Sequence, residues 1–436
     1  MHDAVDHTTA LIEEGHESTA RAVLRVVDLI DPGNEAAREV DAVRRAITGG
    51  VLARVRDVNR AVASITDLGV DLVAGAIDPK DPGAVPMRSD GMRRAAVIGD
   101  AALGTVNGIV GDHLARRANG LALEMSLRAG DRYLTLTPEG VRTAVPSPSE
   151  TVVVFVHGLC ATEWSWCLGA EAYHGDPAAN FGTLLARDLG VSPVFARYNT
   201  GRHISENGRE LAAMIDALVR CWPVPVRSVA LVGHSMGGLV ARSASHVADR
   251  EGMAWRAKLT HVACLASPHR GAALEKLGNV LGSVLGAIDL PGTQIPARIL
   301  QGRSAGIKDL RYGYVRDEDW RGADPDALLE DRGAPLSLLD GVSYCFVSAA
   351  VTQDPAHPLG ALVGDLLVRG PSAVPEGLSR RAFAIERARY GAMLHHEVQN
   401  HPDVYAMLRR FLAAQDPVAG PEPTTAHTGD AAEIPR

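Results

Sequence analysis

The sequence is poor in what several protein classes require. Only 4% of its 436 residues are aromatic, which argues against an aromatic-lined platform for sugars or bases. The five cysteines (Cys160, Cys167, Cys221, Cys264 and Cys345) are odd in number and contain no C-x-x-C pair. A disulfide framework and a structural zinc site are therefore not expected, and all five read as free thiols. Basic residues do not dominate. The net charge is −8, which leaves no broad electrostatic case for nucleic acid as a partner. No apolar run reaches the roughly 18 charge-free residues of a membrane-spanning helix. The opening stretch MHDAVDHTTALIEEGHE carries acidic residues where a secretory signal needs a basic region and then an apolar one. A cytoplasmic location is the expectation, with peripheral contact at a membrane or lipid surface as the alternative.

What is present points to a large folded unit. Hydrophobic residues make up 46% and charged residues 22%, enough for a sizeable core. From about residue 8 to 77 apolar residues recur at helical spacing, as in Val51, Val55, Val58 and Val62. Asp31-Pro32-Gly33-Asn34 and the run from Asp78 to Gly83 break the pattern, and helix resumes over Gly91–Arg117. Residues 1–118 thus read as an N-terminal all-helical module, a candidate docking or oligomerisation unit.

The periodicity then changes. Leu121–Leu127 and Tyr133–Leu136 alternate around Gly130, which predicts a hairpin. The continuous apolar run Val152–Val156 predicts a strand buried on both faces. Further strands are predicted at Pro193–Tyr198, Ser228–Gly233, His261–Ala266, Val342–Val347 and Arg381–Glu386. Helices are predicted between them at Asn207–Arg220, Gly237–Asp249 and Ala273–Ile288, with a last one at Pro402–Ala414. Strands alternating with helices predict an α/β fold with a mostly parallel sheet flanked by helices. Residues 119–416 form this domain, with a lid or cap insertion over about 272–335, and residues 417–436 read as a disordered tail. The Leu274–Ile288 segment, apolar and glycine-hinged, reads either as a lid over an acyl chain or as a core helix.

The strongest local signal is Gly233-His234-Ser235-Met236-Gly237. It matches G-x-S-x-G, and chance alone supplies about 0.2 such matches in a chain of this composition, so the pattern needs context. It has that context, because an apolar strand precedes it and a helix follows. A tight strand-to-helix turn presents the serine oxygen, and small residues relieve the crowding around it. A serine alcohol needs a base, and the base needs an acid to orient it. In the chain order of such turns the acid comes next, with Asp354 and Asp365 as candidates. The histidine comes last, with His395, His396 and His401 as candidates. His401 precedes Pro402 at a helix start, where capping or packing suits it better.

Six blocks, VFVHGLC, ARYNTGRHISENG, VGHSMGGLVAR, LASPHRGA, VGDLLV and HHEVQNHPDVY, fall in one order over about residues 120–415. In that order they resemble bacterial esterases and lipases of the α/β-hydrolase superfamily, in the branch that includes the GPI-inositol deacylases. The resemblance does not cover the N-terminal module. It implies an α/β-hydrolase fold and a Ser-His-Asp triad of Ser235, His395 and Asp365. The departures at Glu397, Val398 and Gln399 keep His396 as an alternative base. The oxyanion would be held by the backbone N–H groups of Met236, the residue after the nucleophile, and of Leu159. His157, His234 and His269 read as structural, and Asn199, His203 and Asn207 sit where such sheets bind ligands. The expected activity is hydrolysis of a carboxylic ester, of a lipid or another small acyl substrate, without cofactor or metal. Acyl transfer or thioester hydrolysis through the same triad is the second reading, and a catalytically silent scaffold the third.

Overall fold

The computed structural model describes residues 90–130, 132–271, 304–322, 336–350, 352 and 384–414. Their centre is an eight-stranded sheet. The strands are β1 (Ser126–Ala129), β2 (Arg132–Tyr133), β3 (Thr151–Val156), β4 (Ser192–Arg197), β5 (Ser228–His234), β6 (Leu259–Leu265), β7 (Ser343–Ala349) and β8 (Ile385–Tyr390). Their order across the sheet is β2-β1-β4-β3-β5-β6-β7-β8. All pairs from β4 to β8 are parallel, and only the β1–β2 hairpin runs antiparallel to the rest. The sheet thus has the mostly parallel, helix-flanked form that the alternation of elements predicts.

The apolar run of β3 shows why the sheet is central. Val152, Val154 and Val156 join the core on one face, and Val153 and Phe155 join the core on the other. A strand covered on both sides has no polar face to declare, so its sequence does not alternate. Helices α5 (Ile204–Cys221) and α6 (Met236–Arg250) cover the first face through Leu211, Ile215, Leu239 and Val240. Helices α4 (Phe181–Leu189) and α9 (Pro402–Ala413) cover the second through Phe181, Leu185, Val404, Leu408 and Phe411. Each such aliphatic or aromatic side chain contributes about 1.5–3 kcal/mol on full burial. The other helices in chain order are α1 (Asp90–Arg116), α2 (Pro138–Ala144), α3 (Ala170–His174), α7 (Ala305–Tyr312) and α8 (Asp317–Trp320).

Three details differ from the reading of the sequence. The first strand starts at Ser126 rather than Leu121, because Asn107 of α1 takes up the preceding backbone: its Oδ1 accepts from Leu123 N at 2.9 Å and its Nδ2 donates to Leu121 O at 2.8 Å. The last strand runs Ile385–Tyr390, not Arg381–Glu386, and pairs with β7 from Tyr344↔Ile385 to Ala349↔Tyr390. It is the edge of the sheet, so Arg387 and Arg389 point their charges into solvent without breaking it. Helix α4 was not foreseen at all. It is short, and its start is set by a capping box in which Asn180 Oδ1 accepts from Thr183 N and Thr183 Oγ1 accepts from Asn180 N, both at 3.0 Å.

None of the described helices is long and apolar enough to cross a membrane. The helices expected over residues 8–77, the Leu274–Ile288 segment and the tail from 417 lie outside the described residues.

Candidate active site

The chain turns from β5 into α6 at one residue, Ser235. Its backbone sits at φ 55°, ψ −123°, a conformation that a residue with a β-carbon rarely holds. The turn is fixed by Ser235 N donating to Leu265 O at 2.8 Å and by Gly238 N donating to Ser235 O at 3.1 Å. It is also fixed by lack of room. A β-carbon on Gly237 would collide with the carbonyl oxygens of Val156 and His157, so α6 can pass under the end of β3 only with glycine there. Ser235 is half-exposed between a buried His234 and a buried Met236. The serine is the one residue of the turn that the fold presents outward.

The end of β3 lies beside this turn, because Val156 pairs in register with Gly233. Beyond it the chain crosses the serine. A β-carbon on Gly158 would stand 3.1 Å from Ser235 Cβ and 3.3 Å from His234 Nδ1. Leu159 follows at once, so its backbone and the first N–H of α6, on Met236, flank the serine. The first N–H groups of a helix have no intrahelical acceptor and are free for a ligand.

His395 arrives from the loop after β8. It is 8% exposed, whereas His396 is exposed. Its carbonyl oxygen accepts from His234 Nε2 at 2.9 Å, and the two imidazole rings are 4.8 Å apart. The structure thus brings Ser235, Met236, Leu159 and His395 to one place at the C-terminal edge of the sheet. Asp365 and its competitor Asp354 lie outside the described residues.

The other histidines have structural duties. His157 is fully buried, stacked on Tyr198 with ring centroids 4.4 Å apart, and donates from Nδ1 to Gly158 O at 3.0 Å. Tyr198 donates its hydroxyl to His157 O at 2.6 Å. Burial holds the His157 imidazole down to about 3, so it stays neutral. His234 is held well below the usual histidine range, first by burial and then by the neighbouring His395. His269 accepts from Arg242 Nη1 at 3.2 Å, and burial, then the guanidinium, keep it neutral. His401 Nδ1 accepts from Asp403 N at 3.2 Å and caps α9, the role Pro402 suggests.

Asn199 and Asn207 also build loop backbone. Asn199 Oδ1 accepts from Gly201 N at 3.0 Å, and Asn207 Nδ2 donates to Asn199 O at 2.9 Å. His203 is held at 3.1 Å by the buried Asp309 carboxylate and stacks on Trp320 at 3.6 Å. Among the described residues no group of three or more His, Cys, Asp or Glu could hold a metal ion.

A buried charged cluster below the site escaped the reading of the sequence. Glu163, 3% exposed, ends the loop that begins at Gly158. It accepts from the Tyr133 hydroxyl at 2.8 Å and pairs with Arg197 Nε at 3.1 Å and Arg128 Nη1 at 3.7 Å. Arg197 also pairs with Asp100 of α1 at 2.6 Å. The only sequence signal is an arginine on each of two neighbouring strands, β1 and β4.

A serine on a strained strand-to-helix turn, over a mostly parallel sheet and beside a histidine from beyond the last strand, defines the chain as a member of the α/β-hydrolase superfamily. Within it, residues 147–282 match the PGAP1-like alpha/beta domain family. No curated protein matches the chain. Similar solved structures include the mature lipase BlEst2 of Bacillus licheniformis, at 18% identity and TM-score 0.38, covering 61% of this chain and 93% of that one. Lipase B of Aspergillus fumigatus is 12% identical at TM-score 0.36, covering 77% of this chain and 60% of that one. RedJ, a thioesterase from the prodiginine biosynthetic pathway in Streptomyces coelicolor, is 18% identical at TM-score 0.35, covering 61% and 88%.

Proposed function

We propose that the protein is a serine hydrolase of carboxylic esters, with lipid or other acyl esters as substrates. Ser235 Oγ attacks the ester carbonyl while His395 takes its proton. The oxyanion is held by the N–H groups of Leu159 and Met236. The tetrahedral adduct collapses, and His395 returns the proton to the leaving alcohol. Water, deprotonated by His395, then attacks the acyl-serine and releases the acid. Asp365 holds the imidazole in its working tautomer and stabilises the imidazolium.

One observation carries this reading: Ser235 alone is presented outward from a strained turn, with the carbonyl of His395 tied to the residue before it. Strain of about 1–3 kcal/mol persists only where the surroundings enforce it, and such positions cluster at reactive centres. The buried setting of His395 supports it over His396 as the base.

The test is hydrolysis of p-nitrophenyl esters from short to long acyl chains by wild type, Ser235→Ala, His395→Ala and His396→Ala. Loss of Ser235 or of the true base should cost on the order of 10⁴–10⁶ in turnover. His396→Ala should retain activity. Full activity in Ser235→Ala refutes the mechanism at its centre.

A further inference from the structure

We propose that helix α1, which the sequence assigns to the N-terminal module, is a positioning element of the hydrolase site. It clamps residues 158–162, the segment that presents the Leu159 N–H to the oxyanion. The proposal rests on the ester-hydrolase reading above.

Three independent kinds of contact converge on that segment. The first is direct backbone contact. A β-carbon on Gly108 would lie 2.9 Å from Cys160 Cα, 3.0 Å from Cys160 N and closer still to Cys160 Sγ. One turn earlier, a β-carbon on Gly104 would lie 2.8 Å from Ala161 O and 2.9 Å from Thr162 Cγ2. The helix therefore rests on the two residues after Leu159, at a distance only glycine permits.

The second contact is apolar. Ile109 of α1 and Ile307 of α7 are buried together, and Leu159 and Cys160 pack against them. The third is polar and holds the helix and the far end of the loop in register. Asp100 Oδ1 lies 2.6 Å from Arg197 Nη2, Asp100 Oδ2 accepts from Trp164 Nε1 at 2.9 Å, and Arg197 reaches on to Glu163. At the other end of the helix, Gly108 O accepts from Ser304 Oγ at 2.6 Å and Gly111 O from Asn199 Nδ2 at 2.9 Å.

The loop needs such a clamp. Cys160 sits at φ 59°, left-handed for a residue with a side chain, and such a conformation persists only when neighbours enforce it. An oxyanion donor lowers the barrier only if it is aimed before the charge develops. Shifting the Cys160 backbone by a fraction of an ångström re-aims the Leu159 peptide, while the substrate pocket beyond it stays as it was.

The test uses the full chain with Gly108→Ala and Ile109→Ala, and the double variant Gly108→Ala/Cys160→Gly. End-point labelling with a fluorophosphonate counts reactive sites, so turnover is expressed per site. A boronic acid that forms a tetrahedral adduct on the serine reports the oxyanion contacts separately. Gly108→Ala should lower kcat per labelled site on p-nitrophenyl butyrate about 100-fold, the scale of a misplacement near 1 Å. KM should stay within about twofold while the boronate Ki rises in parallel with the loss of kcat. Cys160→Gly relieves the Sγ contact and suits the left-handed backbone, so the double variant should recover at least about tenfold of the loss. Ile109→Ala should show the same split with a smaller loss, and it serves if Gly108→Ala does not fold. Fewer labelled sites with unchanged kcat per site, in whichever variant folds, would mean that α1 only stabilises the fold, and would overturn the proposal. Failure of the fluorophosphonate to label wild type at Ser235 would instead sink the ester-hydrolase reading, and the proposal with it.

Discussion

His234→Phe isolates the contact that ties the nucleophile turn to the base. Phenylalanine keeps a flat ring between Trp166 and His395 but removes the Nε2 donor that the His395 carbonyl accepts at 2.9 Å. That carbonyl is buried with its residue, and leaving it unsatisfied costs about 1–3 kcal/mol. The cost has two destinations. If the loop stays in place, the whole amount appears as lost stability. If the loop moves to find water, the imidazole leaves its working position, and at 1.36 kcal/mol per decade the loss of kcat is about 5- to 150-fold. The second outcome is the expected one, because the loop is followed only by a single 3₁₀ turn, Glu397–Gln399, before α9. His234→Gln should separate donor from shape, since a glutamine amide can donate from about the same reach. The donor is constant across any practical assay range, because burial keeps His234 neutral well below the usual histidine pKa. The assay is kcat and KM on a short ester, with urea unfolding in parallel. Wild-type kcat in the phenylalanine variant, or equal impairment of the glutamine and phenylalanine variants, would refute the tether.

Acid should loosen the fold through its buried histidines. The His157 imidazole is depressed by burial from 6.5 to about 3, so below pH 6.5 the unfolded chain gains a proton that the folded chain does not. Its stabilisation is complete above 6.5 and is lost as pH falls toward about 3, at about 1.4 kcal/mol per pH unit. Urea unfolding at pH 6.5 and about pH 5 should therefore differ by about 2 kcal/mol from His157 alone, with His234 and His269 adding in the same direction. A flat profile over that interval would contradict the burial of these rings. Glu163→Gln should destabilise by about 3–5 kcal/mol, because it leaves Arg128 and Arg197 buried beside a neutral amide. A loss under about 1 kcal/mol in urea unfolding would show that Asp100 alone neutralises the cluster.

The central strands were legible because burial on both faces imposes a pattern that little else produces. Val152–Val156 and Ser228–Gly233 each fall within one residue of the observed strand bounds. The edges were less legible for the reverse reason. β8 has one side open to solvent, so Arg387 and Arg389 read as the end of a strand when they are its exposed face. Helix α4 is nine residues long, too short for a period to stand out, and its clearest mark is the Asn180 cap.

In the site, legibility tracked how narrowly chemistry restricts residue type. Ser235 and its flanking glycines can be little else, because a nucleophile on a turn this tight requires them. The supports have no such restriction. Any donor of the right reach could hold the His395 carbonyl, and any buried ion pair could fix the end of the loop at Glu163, so His234, Arg197 and Asp100 carry no signature. They are also far apart in sequence: Asp100 and Arg197 meet across 97 positions, and His234 meets His395 across 161. The helix that closes the loop from above follows the same logic. Gly104, Gly108 and Gly111 on one face weaken α1 as an isolated helix by about 1 kcal/mol each. That cost is unfavourable for a free-standing module, and it is offset only where close backbone contact returns more, as it does against Cys160 and Ala161. The glycines of α1 are therefore better explained by the loop they rest on than by the module they were assigned to.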